Sequence, residues 1–125
     1  RQRLLLGNIS IVRDWGYAPL YVEAMWRMMQ QEVMSDYLIC SGMPVSLEAF
    51  VRNVFNRLDL DTADHISIET SLMRSLDLEI IYGDNAKAKE ELGWEYDLTV
   101  DDLITRLIKD EIEFMNWQAK VVVSQ

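Results

Sequence analysis

The chain of 125 residues holds one histidine, His65, and one cysteine, Cys40, and these two counts remove most metal and nucleophile chemistry. A zinc-type site needs several Cys or His ligands at set spacings, and His65 has neither a cysteine nor a second histidine near it. A hydrolytic triad would leave His65 to serve as the only base, with no G-x-S-x-G turn to place a serine. A lone Cys40 excludes an internal disulfide and a C-x-x-C arrangement. Carboxylates are plentiful at Asp36, Asp59, Asp61, Glu90-Glu91 and Asp101-Asp102. Adjacent acids of this kind mark solvated caps and first helical turns, where they complement the helix dipole, so they are not read as an acid/base site. The sequence has neither G-x-x-x-x-G-K-[ST] nor G-x-G-x-x-G, so neither phosphate cradle is present, and any cofactor of the whole protein is bound elsewhere.

The elements that position the remaining polar residues must come from one modest core. With 12 basic against 21 acidic side chains, a formal charge of -9 and 50% hydrophobic residues, the sequence describes a single acidic, domain-sized piece. Net negative charge excludes sequence-independent nucleic-acid binding, which needs many lysines and arginines on phosphates. The six acids between Asp97 and Glu113, against Arg106 and Lys109, read as a solvated helix face. Apolar runs such as Leu4 to Leu6 and Val121 to Val123 fall far short of the ~20 residues of a membrane span. They are also shorter than the ~7 to 15 residues of a signal peptide's apolar region. The expected setting is reducing and cytoplasmic. Arg1 opens directly into an apolar run with no start methionine, so the chain reads as a fragment of something longer, one unit over residues 1–125.

Pro19 suits a first helical turn, and Tyr21, Met25, Met28 and Met29 follow at helical spacing, which predicts a helix from Pro19 to Glu32. Tyr37 to Cys40, closed by Ser41-Gly42, has the length of a buried strand. Ser46 can cap a helix whose Leu47, Phe50, Val51, Val54, Phe55 and Leu58 form one apolar stripe. His65 to Glu69 alternates polar and apolar, as a half-buried strand does. Asp84 can cap a short helix over Asn85 to Leu92, with Lys87 and Glu91 as an i, i+4 pair and Gly93 at its C-terminal end. Thr99 and Asp102 form a near capping box for a last helix, with Val100, Leu103, Ile104, Leu107, Ile108, Ile112 and Met115 on its buried side. Helices alternating with short strands argue an α/β arrangement. Two lone strands make a weak sheet, whose natural completion is strands from a missing N-terminal part.

Two stretches are more specific. Leu6-Gly7-Asn8 with Arg13-Asp14-Trp15-Gly16 and Tyr21-Val22-Glu23-Ala24-Met25-Trp26 resembles, in order and spacing, the LGN, RDWG and YVEAMW segments of GDP-mannose 4,6-dehydratases. The stretch from Arg74 through Gly83-Asp84, Lys87-Ala88 and Leu92-Gly93-Trp94 is similar to a second block of that family, and Tyr37 to Gly42 and Phe50-Val51 fall where it has a strand and the helix after it. The resemblance runs from about Leu6 to Ile108. The family usually reads Arg-Pro-Thr-Glu where this chain has Arg74-Ser75-Leu76-Asp77, and Met43-Pro44-Val45 replaces a more polar turn.

The resemblance implies the C-terminal, substrate-binding portion of an extended short-chain dehydrogenase/reductase, a Rossmann-like α/β fold, mostly helices with a few short strands here. The dinucleotide-binding Rossmann domain would lie outside the chain. It implies a parent enzyme, NADP-dependent, that converts GDP-mannose to GDP-4-dehydro-6-deoxy-D-mannose by internal redox and loss of water, on the way to GDP-fucose and related deoxysugars. It also implies a homodimer or homotetramer. Leu6, Gly7, Asn8, Arg13, Arg74 and Asp77 become the substrate-binding candidates: glycine permits close backbone approach, asparagine offers donor and acceptor, guanidinium groups match pyrophosphate oxygens, and Asp77 retains a carboxylate for a sugar hydroxyl. On residue type by itself, Arg13 could instead pair with Asp14 or a helix end. Asp14 reads as a cap or turn residue, and Trp15, Trp26 and Trp94 as packing residues. The family's catalytic Tyr-x-x-x-Lys is not here, since Tyr17, Tyr21 and Tyr82 are followed four residues on by Tyr21, Met25 and Ala86. The fragment is therefore expected to be inactive by itself and to bind no cofactor or metal. Rival readings are another GDP-sugar reductase or epimerase of the same family, or a non-catalytic nucleotide-sugar-binding or assembly module. The Trp15-Gly16 pair and the Ala24-Met25-Trp26 segment favour the dehydratase.

Overall fold

A computed structural model describes residues 3–123; Arg1 and Gln2 of the basic start lie outside the described residues, as do Ser124 and Gln125. Four three-residue strands and five helices follow one another as β1 (Leu4–Leu6), β2 (Val12–Asp14), α1 (Ala18–Met29), β3 (Pro44–Ser46), α2 (Leu47–Arg57), α3 (Thr62–His65), β4 (Ile66–Ile68), α4 (Ala86–Leu92) and α5 (Val100–Val123). The fold is mixed α/β and mostly helical. The strands form two separate pairs, β1 parallel to β4 and β2 antiparallel to β3, rather than the two lone strands the sequence suggests.

Capping explains where the helices start. The Ser46 hydroxyl accepts from the Ala49 amide at 3.1 Å, which satisfies one of the free donors at the start of α2. At α5 the expected box closes in both directions: the Asp102 amide donates to Thr99 Oγ1 and the Thr99 amide donates to Asp102 Oδ2, each at 3.1 Å. Asp84 Oδ1 accepts from the Ala86 amide at 2.8 Å, and α4 ends on Gly93 at φ 60°, a left-handed position suited to glycine. Lys87 does not form the expected pair with Glu91. Its ammonium donates to Ser35 Oγ at 2.6 Å and to the Asp36 carbonyl at 2.9 Å, and lies 4.9 Å from the centre of the Tyr37 ring, because that face of α4 looks onto the 35–37 segment.

The core sits between α1 and α4, where Ala24, Ala88, Leu92 and Trp94 are buried with Leu20, Tyr21, Met28, Tyr37, Ile39 and Tyr96 packed around them. The Trp94 indole N–H donates to the Leu20 carbonyl at 2.9 Å, so the buried ring keeps its polar atom satisfied. Trp15 packs as expected, stacked on Phe50 with centroids 4.7 Å apart. Trp26 does not: it is 64% exposed on the outer face of α1, which no other element covers among the described residues. On α5, Leu103 and Ile104 are buried, whereas Leu107, Ile112 and Met115 are exposed, because α2 backs only the first turns of this long helix.

Tyr37 to Cys40 is not a strand. No ladder partner lies beside it among the described residues, and its contacts come instead from Asn85 Nδ2, which donates to the Cys40 carbonyl at 2.9 Å, and from Gly83 against Leu38 and Cys40. The His65 to Glu69 strand is shorter than expected, Ile66–Ile68, since Asp61 caps the single turn α3 that takes His65.

Candidate functional site

β2 organises the site. On one edge it pairs with β3, with Arg13 opposite Val45; on the other, the Val12 amide donates to the Glu79 carbonyl at 2.7 Å and the Ile81 amide to the Val12 carbonyl at 3.0 Å. Consecutive side chains of a strand point to opposite faces. Arg13 therefore turns to the 77–78 segment, while Asp14 turns to the loops at 41–42 and 83.

The Arg13 guanidinium is engaged by its surroundings through three of its five N–H groups. It donates to Asp77 Oδ1 at 2.7 Å, to the Leu78 carbonyl at 2.7 Å and to the Val12 carbonyl at 2.8 Å. The two charged side chains are 22% and 18% exposed, so the pair is largely shielded from water. Of the two partners left open by residue type, Asp14 and a helix end, the guanidinium takes neither.

Asp14 is a junction. Its Oδ1 accepts from the Ser41 amide and hydroxyl at 2.8 and 2.7 Å, and its Oδ2 accepts from the Gly42 amide at 2.8 Å and the Gly83 amide at 3.4 Å. This is the turn-holding role expected of it, extended to two loops at once. Burial, followed by the nearby Asp14 charge, pushes the Tyr21 hydroxyl and the Cys40 thiol above their ordinary values. Tyr21 crosses directly over Gly16, where a Cβ would fall 1.8 Å from its hydroxyl, so no side chain fits there.

The other candidates have separate surroundings. Leu6 ends β1 opposite Ile68 and, with Ile9, Val51 and Ile66, walls an apolar cavity of about 210 Å³ whose rim carries Glu48, Arg52 and Thr62. Gly7 lies against the Leu72 carbonyl, where a Cβ would come within 2.7 Å of its oxygen. Asn8 Oδ1 accepts from the Ser10 amide at 3.0 Å and hydroxyl at 2.7 Å, so its acceptor is used locally and its amide N–H groups remain as donors. Arg74 is exposed, with no side-chain hydrogen bond or ion pair among the described residues. The chain thus leaves Gly7 at Leu72, passes Arg74 and reaches Arg13 at Asp77. The structure joins Arg13 to Asp77, and Leu6 and Gly7 to the start of the same segment. The cavity rim of Glu48 and Arg52 was not apparent from sequence; their i, i+4 spacing is the one signal for that pair, and nothing in it points to a cavity. No group of three or more His, Cys, Asp or Glu that could hold a metal ion occurs among the described residues.

Comparison with known proteins agrees with this architecture. Residues 1–107 match the family model for GDP-mannose 4,6 dehydratase. GDP-mannose 4,6 dehydratase 2 of Arabidopsis thaliana is 36% identical over 121 residues, covering 97% of this chain and 32% of the relative. The Homo sapiens GDP-mannose 4,6 dehydratase is 29% identical, covering 88% and 34%. The chain therefore spans about a third of the length of these relatives. Among solved structures, dTDP-glucose 4,6-dehydratase from Bacillus anthracis, in complex with NAD, superposes with TM-score 0.79 at 18% identity, covering 93% of this chain and 36% of that one. RMD from Pseudomonas aeruginosa, complexed with NADPH, gives 0.70 at 19% identity, covering 82% and 33%. The fold is that of the extended short-chain dehydrogenase/reductases, among the Rossmann-like dehydratases and epimerases. Within that class, the chain belongs to the GDP-mannose 4,6 dehydratase family.

Proposed function

We propose that this chain is the substrate-binding portion of an enzyme that acts on GDP-mannose and forms GDP-4-dehydro-6-deoxy-D-mannose, and that its own task is to hold the nucleotide sugar. The observation that carries this reading is the half-buried Arg13, placed by β2 beside Asp77, within a chain whose residues 1–107 match the family model. A guanidinium held in a partly shielded place forms charge-assisted hydrogen bonds to phosphate oxygens. Arg74, exposed three residues before Asp77, adds a second cation, and Gly7 and the Asn8 amide offer backbone access and donors to the nucleoside.

NADP does not fit the residues of this chain. The glycines stand singly at 7, 16, 42, 83 and 93, with no glycine-rich turn to admit a pyrophosphate, and α5 opens on Asp101 and Asp102, which repel one. The reading therefore places NADP, and the family's catalytic pair, in residues other than these, so that this chain by itself binds without turnover. Assembly as a homodimer or homotetramer and a cytoplasmic setting belong to the same proposal.

Isothermal titration of the chain with GDP-mannose and UDP-glucose tests it. GDP-mannose is expected to bind more tightly, and Arg13→Ala to weaken it by about 1.5 to 3 kcal/mol, the worth of a charge-assisted hydrogen bond. Equal, weak binding of both sugars would overturn the GDP-sugar reading, and an unchanged affinity in the variant would remove Arg13 from the site.

A further inference from the structure

We propose that Asp77 is an internal counter-ion that competes with a pyrophosphate for Arg13, so that the Arg13–Asp77 pair acts as a latch on the anion site. This inference rests on the nucleotide-sugar reading above. Three of the five guanidinium N–H groups are taken inside the protein, by one carboxylate oxygen and two backbone carbonyls at 2.7 to 2.8 Å, which leaves Nε–H and one Nη2–H. The carbonyls belong to a paired strand and the segment beside it, and their positions are fixed by the backbone. The carboxylate hangs on a single-methylene stem in an irregular stretch, bounded by bends at Ser75 and Leu76, and is the one partner that can leave without unpairing β2. An incoming phosphate that takes the free Nη2–H comes beside the Asp77 carboxylate held by the same nitrogen, and the two anions repel until Asp77 withdraws. Arg74, two residues beyond the 3-10 turn at Thr70–Leu72, has no such partner among the described residues, so the two arginines differ in kind: one meets an anion without a competing charge, the other against one. Displacement also frees the Asp77 carboxylate to accept from a sugar hydroxyl. The pair thus exchanges one internal bond for two to the ligand, and an anion without a ribose completes only half of that exchange.

Inorganic pyrophosphate, which carries no ribose, isolates the latch from any sugar contact. Titrations of pyrophosphate and GDP into the full chain, its Asp77→Asn and Arg13→Ala variants and the double variant would test the proposal. Circular dichroism melts would establish that each is folded. Removing the competing charge in Asp77→Asn is expected to tighten pyrophosphate by about 5- to 50-fold, between the worth of an exposed ion pair and that of a shielded charged hydrogen bond. The gain should vanish in the double variant. Pyrophosphate affinity that is unchanged or weaker in folded Asp77→Asn overturns the latch, while GDP binding that still depends on Arg13 leaves the nucleotide reading standing. Failure of both ligands to bind any of the four proteins would overturn both. If Asp77→Asn is unfolded, Asp77→Ser serves in its place under the same criteria.

Discussion

Asp14 shows how much one side chain can hold. Its four hydrogen bonds come from three backbone amides and one hydroxyl, all donors, and only a carboxylate can accept them all. Asp14→Asn changes one oxygen to an NH₂ that faces N–H groups, so two of the four bonds are lost while the side-chain volume is kept. The expected loss is about 2 to 3 kcal/mol, the range for hydrogen bonds to a charged group, read as a shift in the urea midpoint with the slope unchanged. A variant as stable as the parent would mean that the loops are held by other contacts. Residue type and spacing suggested a turn-holding acid here, but not its reach, because Ser41 and Gly83 lie 27 and 69 positions away. The same distance hid the need for Gly16, which exists only because Tyr21 folds back over it. Arg13 and Asp77 were each named from sequence through the family's motifs, yet nothing in the sequence paired them.

At the scale of elements, legibility followed local chemistry. The starts at Ser46 and Thr99 and the stop at Gly93 are readable because a cap and its target are at most a few residues apart. The three-residue strands are not, since each depends on a remote partner, Leu4 on Ile66 and Val12 on Ser46, and is too short to show alternation. Tyr37 to Cys40 failed in the opposite sense: it has strand composition but no partner ladder. The capping box at α5 also carries a pH dependence. Hydrogen bonds from the Thr99 hydroxyl and amide hold the Asp102 carboxyl below its ordinary 3.8, so the folded state favours the ionised form. A depressed carboxylate contributes stability above the unfolded value, and that contribution is lost as pH falls through the lower folded value. Thermal melts taken from neutral pH downward are therefore expected to fall as the solution passes below 3.8, and Asp102→Asn to flatten part of that fall. An identical profile in the variant would assign the acid sensitivity to other groups.

For the whole molecule, the question is what holds together a chain with so small a buried centre. The fully buried large side chains are Trp94, Leu103 and Ile104, while Val22, Met25, Trp26 and Met29 stand open along α1. Tryptophan at both Trp26 and Trp94 read alike from sequence, as packing residues, because type and helical spacing report an apolar face without saying what lies against it. The structure separates them: Trp94 is 1% exposed with its N–H bonded across to α1, and Trp26 is 64% exposed. Their truncations should separate as well. Trp94→Ala removes the centre of the α1–α4 core and is expected to cost about 3 to 5 kcal/mol. A domain commonly has about 5 to 15 kcal/mol in all, so this one truncation should remove a large share of the total and move the urea midpoint far down. Trp26→Ala, with no covering element to lose, is expected to stay within about 0.5 kcal/mol of the parent. Urea melts of the two variants at several protein concentrations make the comparison. An equal loss at Trp26 would show that the outer face of α1 is covered in solution, and a loss that grows with concentration would identify the cover as a second copy of the chain.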